Sequence, residues 1–225
     1  MHGSKGLAHG MAAYIRQMQR FLLCKIARLQ ALTLHAHYDM LTYREEFGMI
    51  TYRTLHAGEL ARPLFQDFIR RQTVTRCMRR EQGRWVVKDA PFIDDWSEED
   101  YETLLACLKH TAESGGFLYA AFADGSLKGF TSVEAAFFGS RNQYLDLSCI
   151  HVSADMRGTG IGRVLFAAAK QWAKEKGAGK LYISSHSAIE SQAFYEAMGC
   201  TDAEEYNQMH VEQEPFDRQL ECTLA

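Results

Sequence analysis

Between Arg157 and Arg163 every second residue is a glycine: Gly158, Gly160 and Gly162, separated by Thr159 and Ile161. Glycine costs conformational entropy and weakens helices, so such a cluster is expected where side chains would obstruct something. The flanks suggest what. Upstream, the apolar run YLDLSCIHV (144–152) has the length of a strand. Downstream, Val164, Leu165, Ala168 and Trp172 recur at helical spacing, with lysines and Gly177 as a stop. A strand, a bare loop and a helix in that order offer unpaired amide groups and the positive end of a helix dipole, a cradle for phosphate oxygens. Arg157 places a cation at its mouth. A tight turn at a strand-to-helix boundary is the plain alternative.

Two phosphate loops are excluded by spacing. No Lys-Ser/Thr pair follows the glycines, as an ATP- or GTP-binding P-loop needs, and the chain lacks a GxGxxG run with an acid about 20 residues later on a second strand. The spacing Arg157-x-x-Gly160-x-Gly162 instead resembles the [Q/R]-x-x-G-x-[G/A] loop of the GNAT N-acetyltransferases. CIHVSADMRGTGIG resembles that family's strand and loop, and LYISSHSAIESQAFYEAMGC its next strand and helix. The likeness covers about residues 49 to 225, with the specific motifs between 144 and 200.

The resemblance implies a mixed, mostly antiparallel α/β (α+β) sheet with splayed central strands and helices on both faces. It implies an acetyl-CoA-dependent N-acetyltransferase that moves the acetyl group directly to a primary amine of a small molecule or peptide, with no metal. Ile150, His151 and Val152 then lie beside the pantetheine arm, and Arg157, Gly158, Thr159, Gly160, Ile161, Gly162 and Arg163 hold the pyrophosphate. Tyr195 falls where the family's tyrosine faces the coenzyme sulfur as a general acid, and a phenol keeps its proton at neutral pH; as a plain core aromatic it would pack with Phe194 and Met198. Asp146 corresponds to a strand acid that takes the acceptor's proton, with Glu134 and His151 as alternatives. Ala188 stands where the family often has asparagine, so Ser187 or Ser191 is expected to make that polar contact to the coenzyme. The same fold can also bind acyl-CoA without turnover, as a sensor or scaffold.

Composition is compatible with one globular core: 225 residues, 47% apolar and 24% charged. The six cysteines, Cys24, Cys77, Cys107, Cys149, Cys200 and Cys222, form no CxxC pair and read as reduced core thiols of a cytoplasmic protein. No apolar run reaches transmembrane length. Residues 1–38 hold five basic residues and no acid, which leaves 20 basic against 28 acidic residues in the remainder. An acidic body suits small cationic acceptors such as polyamines or aminoglycosides better than nucleic acid. Residues 1–48 read as a basic, helical, non-catalytic extension before a catalytic domain of 49–225. Membrane-surface binding, a transit peptide, or an arm packing on a partner subunit of a homodimer are the alternatives.

These residues need positioning elements. MITYRTL reads as a strand, and AGELARPLFQDFIRR as a helix with Pro63 near its first turn. GRWVVKDAPFIDDW reads as a short extended segment and a loop, whose Phe92, Asp94, Asp95 and Trp96 are candidates to line an acceptor cleft or to form an acidic helix entry. Ser97 and Asp100 have capping-box spacing before a helix that ends at Gly115-Gly116. FLYAAFAD and LKGFTSVEAAFF form a hairpin about Gly125. Beyond the glycine loop follow a strand KLYISS, a helix IESQAFYEAM, and strands around EEYNQMHVEQE and RQLECTL.

Overall fold

The computed structural model describes residues 49–224. The basic segment read above as an extension lies outside the described residues. β1 (Ile50–Thr54) is followed by two short 3-10 turns, Ala57–Glu59 and Arg62–Phe65. These replace the helix expected there. Pro63 lacks an amide hydrogen and tightens the second turn, and the segment serves instead to bury Leu60, Phe65 and Phe68.

The short strand and loop expected around residue 90 are likewise one arm of a long hairpin, β2 (Gln72–Glu81) and β3 (Arg84–Asp94). Gln82 and Gly83 both take positive φ and turn it. Pro91 lies where the register shifts between Val74 and Arg76, an irregularity that accommodates its missing donor. α1 (Glu98–Glu113) begins at the expected capping box: Ser97 Oγ accepts from Asp100 N at 3.2 Å, and Asp100 Oδ2 accepts from Ser97 N at 2.7 Å. β4 (Phe117–Ala123) and β5 (Ser126–Val133) are joined by Asp124-Gly125, again with positive φ.

The run expected as one strand divides. β6 (Tyr144–Asp146) pairs in parallel with β8 (Lys180–Ser185), whereas β7 (Cys149–Val152) pairs antiparallel with β5. The chain crosses from one sheet to the other at Leu147 and Ser148. Two four-stranded sheets result, β1-β4-β5-β7 and β6-β8-β10-β9, with β9 (Thr201–Asp202) and β10 (Arg218–Thr223) completing the second. Antiparallel pairing elsewhere and splayed central strands match the expected fold class.

α2 (Ile161–Glu175) packs on β4, β5, β7 and β8, with Phe166, Ala169 and Ala173 buried against Val133, Leu145, Leu181 and Ile183. α1 covers the opposite face of the first sheet through Tyr101, Leu105 and Leu108 over Leu118, Ala120 and Phe130. Gly129 of β5 must lack a side chain, because a Cβ there would lie 2.6 Å from Ile161 Cγ2. α3 (Ile189–Ala197) follows β8. The C-terminal stretch expected as a strand is a short helix, α4 (Gln208–Gln213), started by Asn207, whose Oδ1 accepts from Met209 N. Among the described residues no helix is long and apolar enough to cross a membrane.

Of the described cysteines, all are free thiols; Cys77, Cys200 and Cys222 are buried, as expected of core residues, but Cys107 is exposed on α1.

Candidate active site

The gap between β7 and β8 opens into a cleft of about 960 Å³. β7 is the edge of its sheet, so half its backbone groups face this gap rather than another strand. At one end lies the glycine loop. Gly158 and Gly160 take φ of +82° and +90°, and a Cβ at either would meet nothing within 4 Å, so the loop is open to the cleft. Gly160 caps α2, whose first internal bond runs from Val164 N to Gly160 O, leaving the amides of Ile161, Gly162 and Arg163 at the helix's positive end. The arrangement fits an anion with several acceptor oxygens, as the diphosphate of coenzyme A presents.

The third glycine is different. Gly162 faces Phe194, and its bareness lets α2 approach α3. Thr159 shapes the loop by donating to Met156 O at 2.7 Å. Arg157 donates to Val152 O and Arg70 O, which ties the loop to β7 and to the segment before β2.

Ile150, His151, Val152, Arg157, Gly158, Gly160, Ile161, Gly162, Arg163, Ser191 and Tyr195 all line the cleft. Tyr195 is buried between Phe166 and Phe194, and burial pushes its phenol well above the ordinary range, so its proton is held firmly. His151 packs on Trp96 and Phe130; burial and the nearby Arg70 and Arg157 charges push its imidazole down to about 3, leaving it neutral. Burial pushes the Cys149 thiol up to about 12, so it is no nucleophile at neutral pH.

Six of the residues singled out in the sequence do not line the cleft: Thr159, Ser187, Glu134, Asp146, Phe92 and Asp95. Thr159 lies behind the loop, as described. The backbone oxygen of Ser187 accepts from Met78 N at 2.7 Å, and Ala188 bridges Cys77, so this stretch anchors the β2–β3 hairpin. Glu134 accepts a hydrogen bond from Thr111 Oγ1 at 2.6 Å, on the side of α1. Asp146 is buried, and its Oδ2 lies 2.6 Å from Nε2 of His210, which does line the cleft.

The opposite wall comes from the hairpin and the C-terminal segment. Asp94 pairs with Arg70 at 2.5 Å, Arg70 lies over the Trp96 ring, and Phe92 packs edge-on to His186. Asp95 instead accepts from Trp96 N. Glu190, Glu214 and Asp217 add carboxylates to the lining. Burial and Glu214 push the Asp217 carboxyl up to about 7. The sequence reading missed His210, Glu214 and Asp217 because it placed a strand there; Asn207 as a helix-starting residue was the available signal.

The model of the acetyltransferase (GNAT) family matches residues 79–200, more than half of the chain. This chain belongs to the GNAT acetyltransferase family. Streptothricin acetyltransferase of Streptomyces lavendulae is 43% identical over 72 residues, which is 32% of this chain and 36% of that protein. The match therefore spans about a third of the curated relative's length. Nourseothricin acetyltransferase superposes with a TM-score of 0.56 at 21% identity, covering 78% of this chain and 99% of that one. A protein assigned as a streptothricin acetyltransferase from Bacillus anthracis, solved with acetyl coenzyme A, superposes with a TM-score of 0.60 at 16% identity, covering 80% and 99%. These likenesses show the GNAT fold.

Proposed function

We propose that this GNAT domain transfers the acetyl group of acetyl-CoA to a primary amine of a small cationic molecule. The observation that carries the reading is the convergence, in one cleft, of an open helix-capping glycine loop, an edge strand and Tyr195. In this reading Gly158 to Arg163 hold the diphosphate, β7 from Ile150 to Val152 holds the pantetheine amides, and Ser191 offers a polar contact. Acetyl-CoA brings an activated thioester, and the protein aligns the amine with it, which supplies much of the acceleration.

As the C–N bond forms and the C–S bond breaks, the Tyr195 hydroxyl gives its proton to the departing thiolate and is restored by the proton that the new amide nitrogen sheds. Glu190 and Glu214, joined by Asp217 above about pH 7, make the acceptor wall acidic, which favours an ammonium-bearing acceptor; Asp94 is already paired with Arg70. Streptothricin, named in the relatives, is the first acceptor to test, followed by aminoglycosides, polyamines, amino acids and peptide N-termini. A turnover screen with acetyl-CoA across that panel is expected to find a cationic small-molecule acceptor. Tight coenzyme binding without transfer to any of them overturns the reading in favour of a sensor or scaffold.

A further inference from the structure

We propose that His210 removes the acceptor's ammonium proton and that Asp146 is its positioning carboxylate. The inference rests on the transferase reading above and deepens it, because there Asp146 has no direct access to the cleft.

The place is set by the strand crossing. Asp146 ends β6, in register with Tyr182 of β8, and the next residues carry the chain away to β7. Asp146 therefore sits at the apex of the wedge between the two sheets. Its Oδ1 is buried with no hydrogen-bond partner, and its Oδ2 meets Nε2 of His210 at 2.6 Å. A buried carboxylate with one free oxygen is costly, and the cost falls when its partner becomes a cation. The pair thus favours a proton on the imidazole.

His210 is held for this task. Its ring stacks on Tyr182 at 5.9 Å, and the helix carrying it is tied down where Asn207 N donates to Tyr182 Oη at 2.9 Å. Beside the ring stand Asp146 from β6 and Tyr182 from β8, Asp217 before β10 acts on it by charge, and Glu214 and Tyr195 line the same cleft. The hydrogen bond to Asp146, and the Asp146 and Asp217 charges, raise the imidazole above its ordinary value of 6.5. A base of raised affinity for protons can accept one from an ammonium group and release it to solvent through the cleft mouth.

The protons balance. The ammonium nitrogen loses two on becoming an amide: the first passes to His210 and then to water, and the second replaces the proton that Tyr195 gives to the coenzyme thiolate.

The test compares the parent, His210→Gln and Asp146→Asn, with streptothricin or the fastest acceptor found in the screen. Folding is checked by thermal melts and acetyl-CoA affinity by calorimetry. His210→Gln, which can still donate to Asp146, is expected to lower kcat by about 10²-fold or more with acetyl-CoA affinity unchanged. Its deficit is expected to shrink well above neutral pH, where the amine loses its proton unaided, a rescue that a structural role would not produce. In the parent, the acid limb of kcat/KM is expected to coincide with the His210 midpoint read by histidine-ring NMR, above pH 6.5. Asp146→Asn is expected to move both to lower pH, and it carries the test alone if His210→Gln does not fold. Parental rates and an unmoved limb in the folded variants overturn the proposal. Absence of transfer by the parent to every acceptor overturns the transferase reading and this one with it, and shows itself before any variant is made.

Discussion

A Cβ built on Gly162 would lie 3.2 Å from Phe194 Cε2 and 3.6 Å from Val152 Cγ2. The last glycine of the loop is thus where α2 closes on its neighbours, while Gly160 is bare for its backbone, at φ +90°. Gly160→Ala is expected to cost roughly 1–2 kcal/mol through left-handed strain and to weaken acetyl-CoA binding. Gly162→Ala should stay within about 1 kcal/mol of the parent, since the helix gains roughly what the displaced Phe194 ring loses, and should keep coenzyme affinity. Denaturant melts with calorimetric titrations separate the two; equal loss of affinity in both would show that a side chain at Gly162 obstructs the phosphate cradle as well.

Tyr195→Phe keeps the ring that packs on Phe166 and Phe194 and removes only the hydroxyl. Melting temperature and coenzyme affinity are expected to hold while single-turnover transfer slows by about 10²- to 10⁴-fold. A parental single-turnover rate would make Tyr195 a packing residue.

Asp217 gives stability a pH dependence of defined sign. Its carboxyl is pushed up from 3.8 to about 7, so between those values the folded chain holds a proton that the unfolded chain has released. Its contribution to stability therefore falls as pH rises through that window and levels off above it. Relative to the parent, Asp217→Asn should raise the melting temperature most at about pH 8 and little near pH 4. A gain independent of pH would remove the carboxyl as the cause.

Where the chemistry was legible in the sequence, a local pattern carried it. The loop from Arg157 to Arg163 announces itself because strand, glycines and helix are contiguous, and the capping box at Ser97 and Asp100 and the Asp124-Gly125 turn are equally local. The acceptor wall was not legible, because it is assembled from distant pieces. Arg70 meets Asp94 across the hairpin, and Asp146 meets His210 across 64 positions of chain. The second arm of the β2–β3 hairpin and the helix before Phe216 have conformations decided by what they pack against, which the local pattern does not show. The division of residues 144–152 between two sheets has no sequence signal, since either half makes a sound strand by itself.

β1 begins at Ile50 and pairs with β4 from Ile50↔Ala123 to Thr54↔Tyr119. We propose 49–225 as the catalytic domain, so a chain starting at Met49 is expected to keep the melting temperature and acetyl-CoA affinity of the full sequence. Loss of folding or of affinity on this truncation would give residues 1–48 a structural part.

α2 packs on strands of both sheets, with Ala169 and Ala173 wholly buried in the cluster that holds Val133, Leu145, Leu181 and Ile183. The spacing of the two sheets is therefore set in part from the rear of the molecule, by how closely small side chains let them settle on one helix. Substitutions on that buried face touch neither the cleft lining nor the glycine loop, so any effect they have on the cleft must travel through the packing of the sheets.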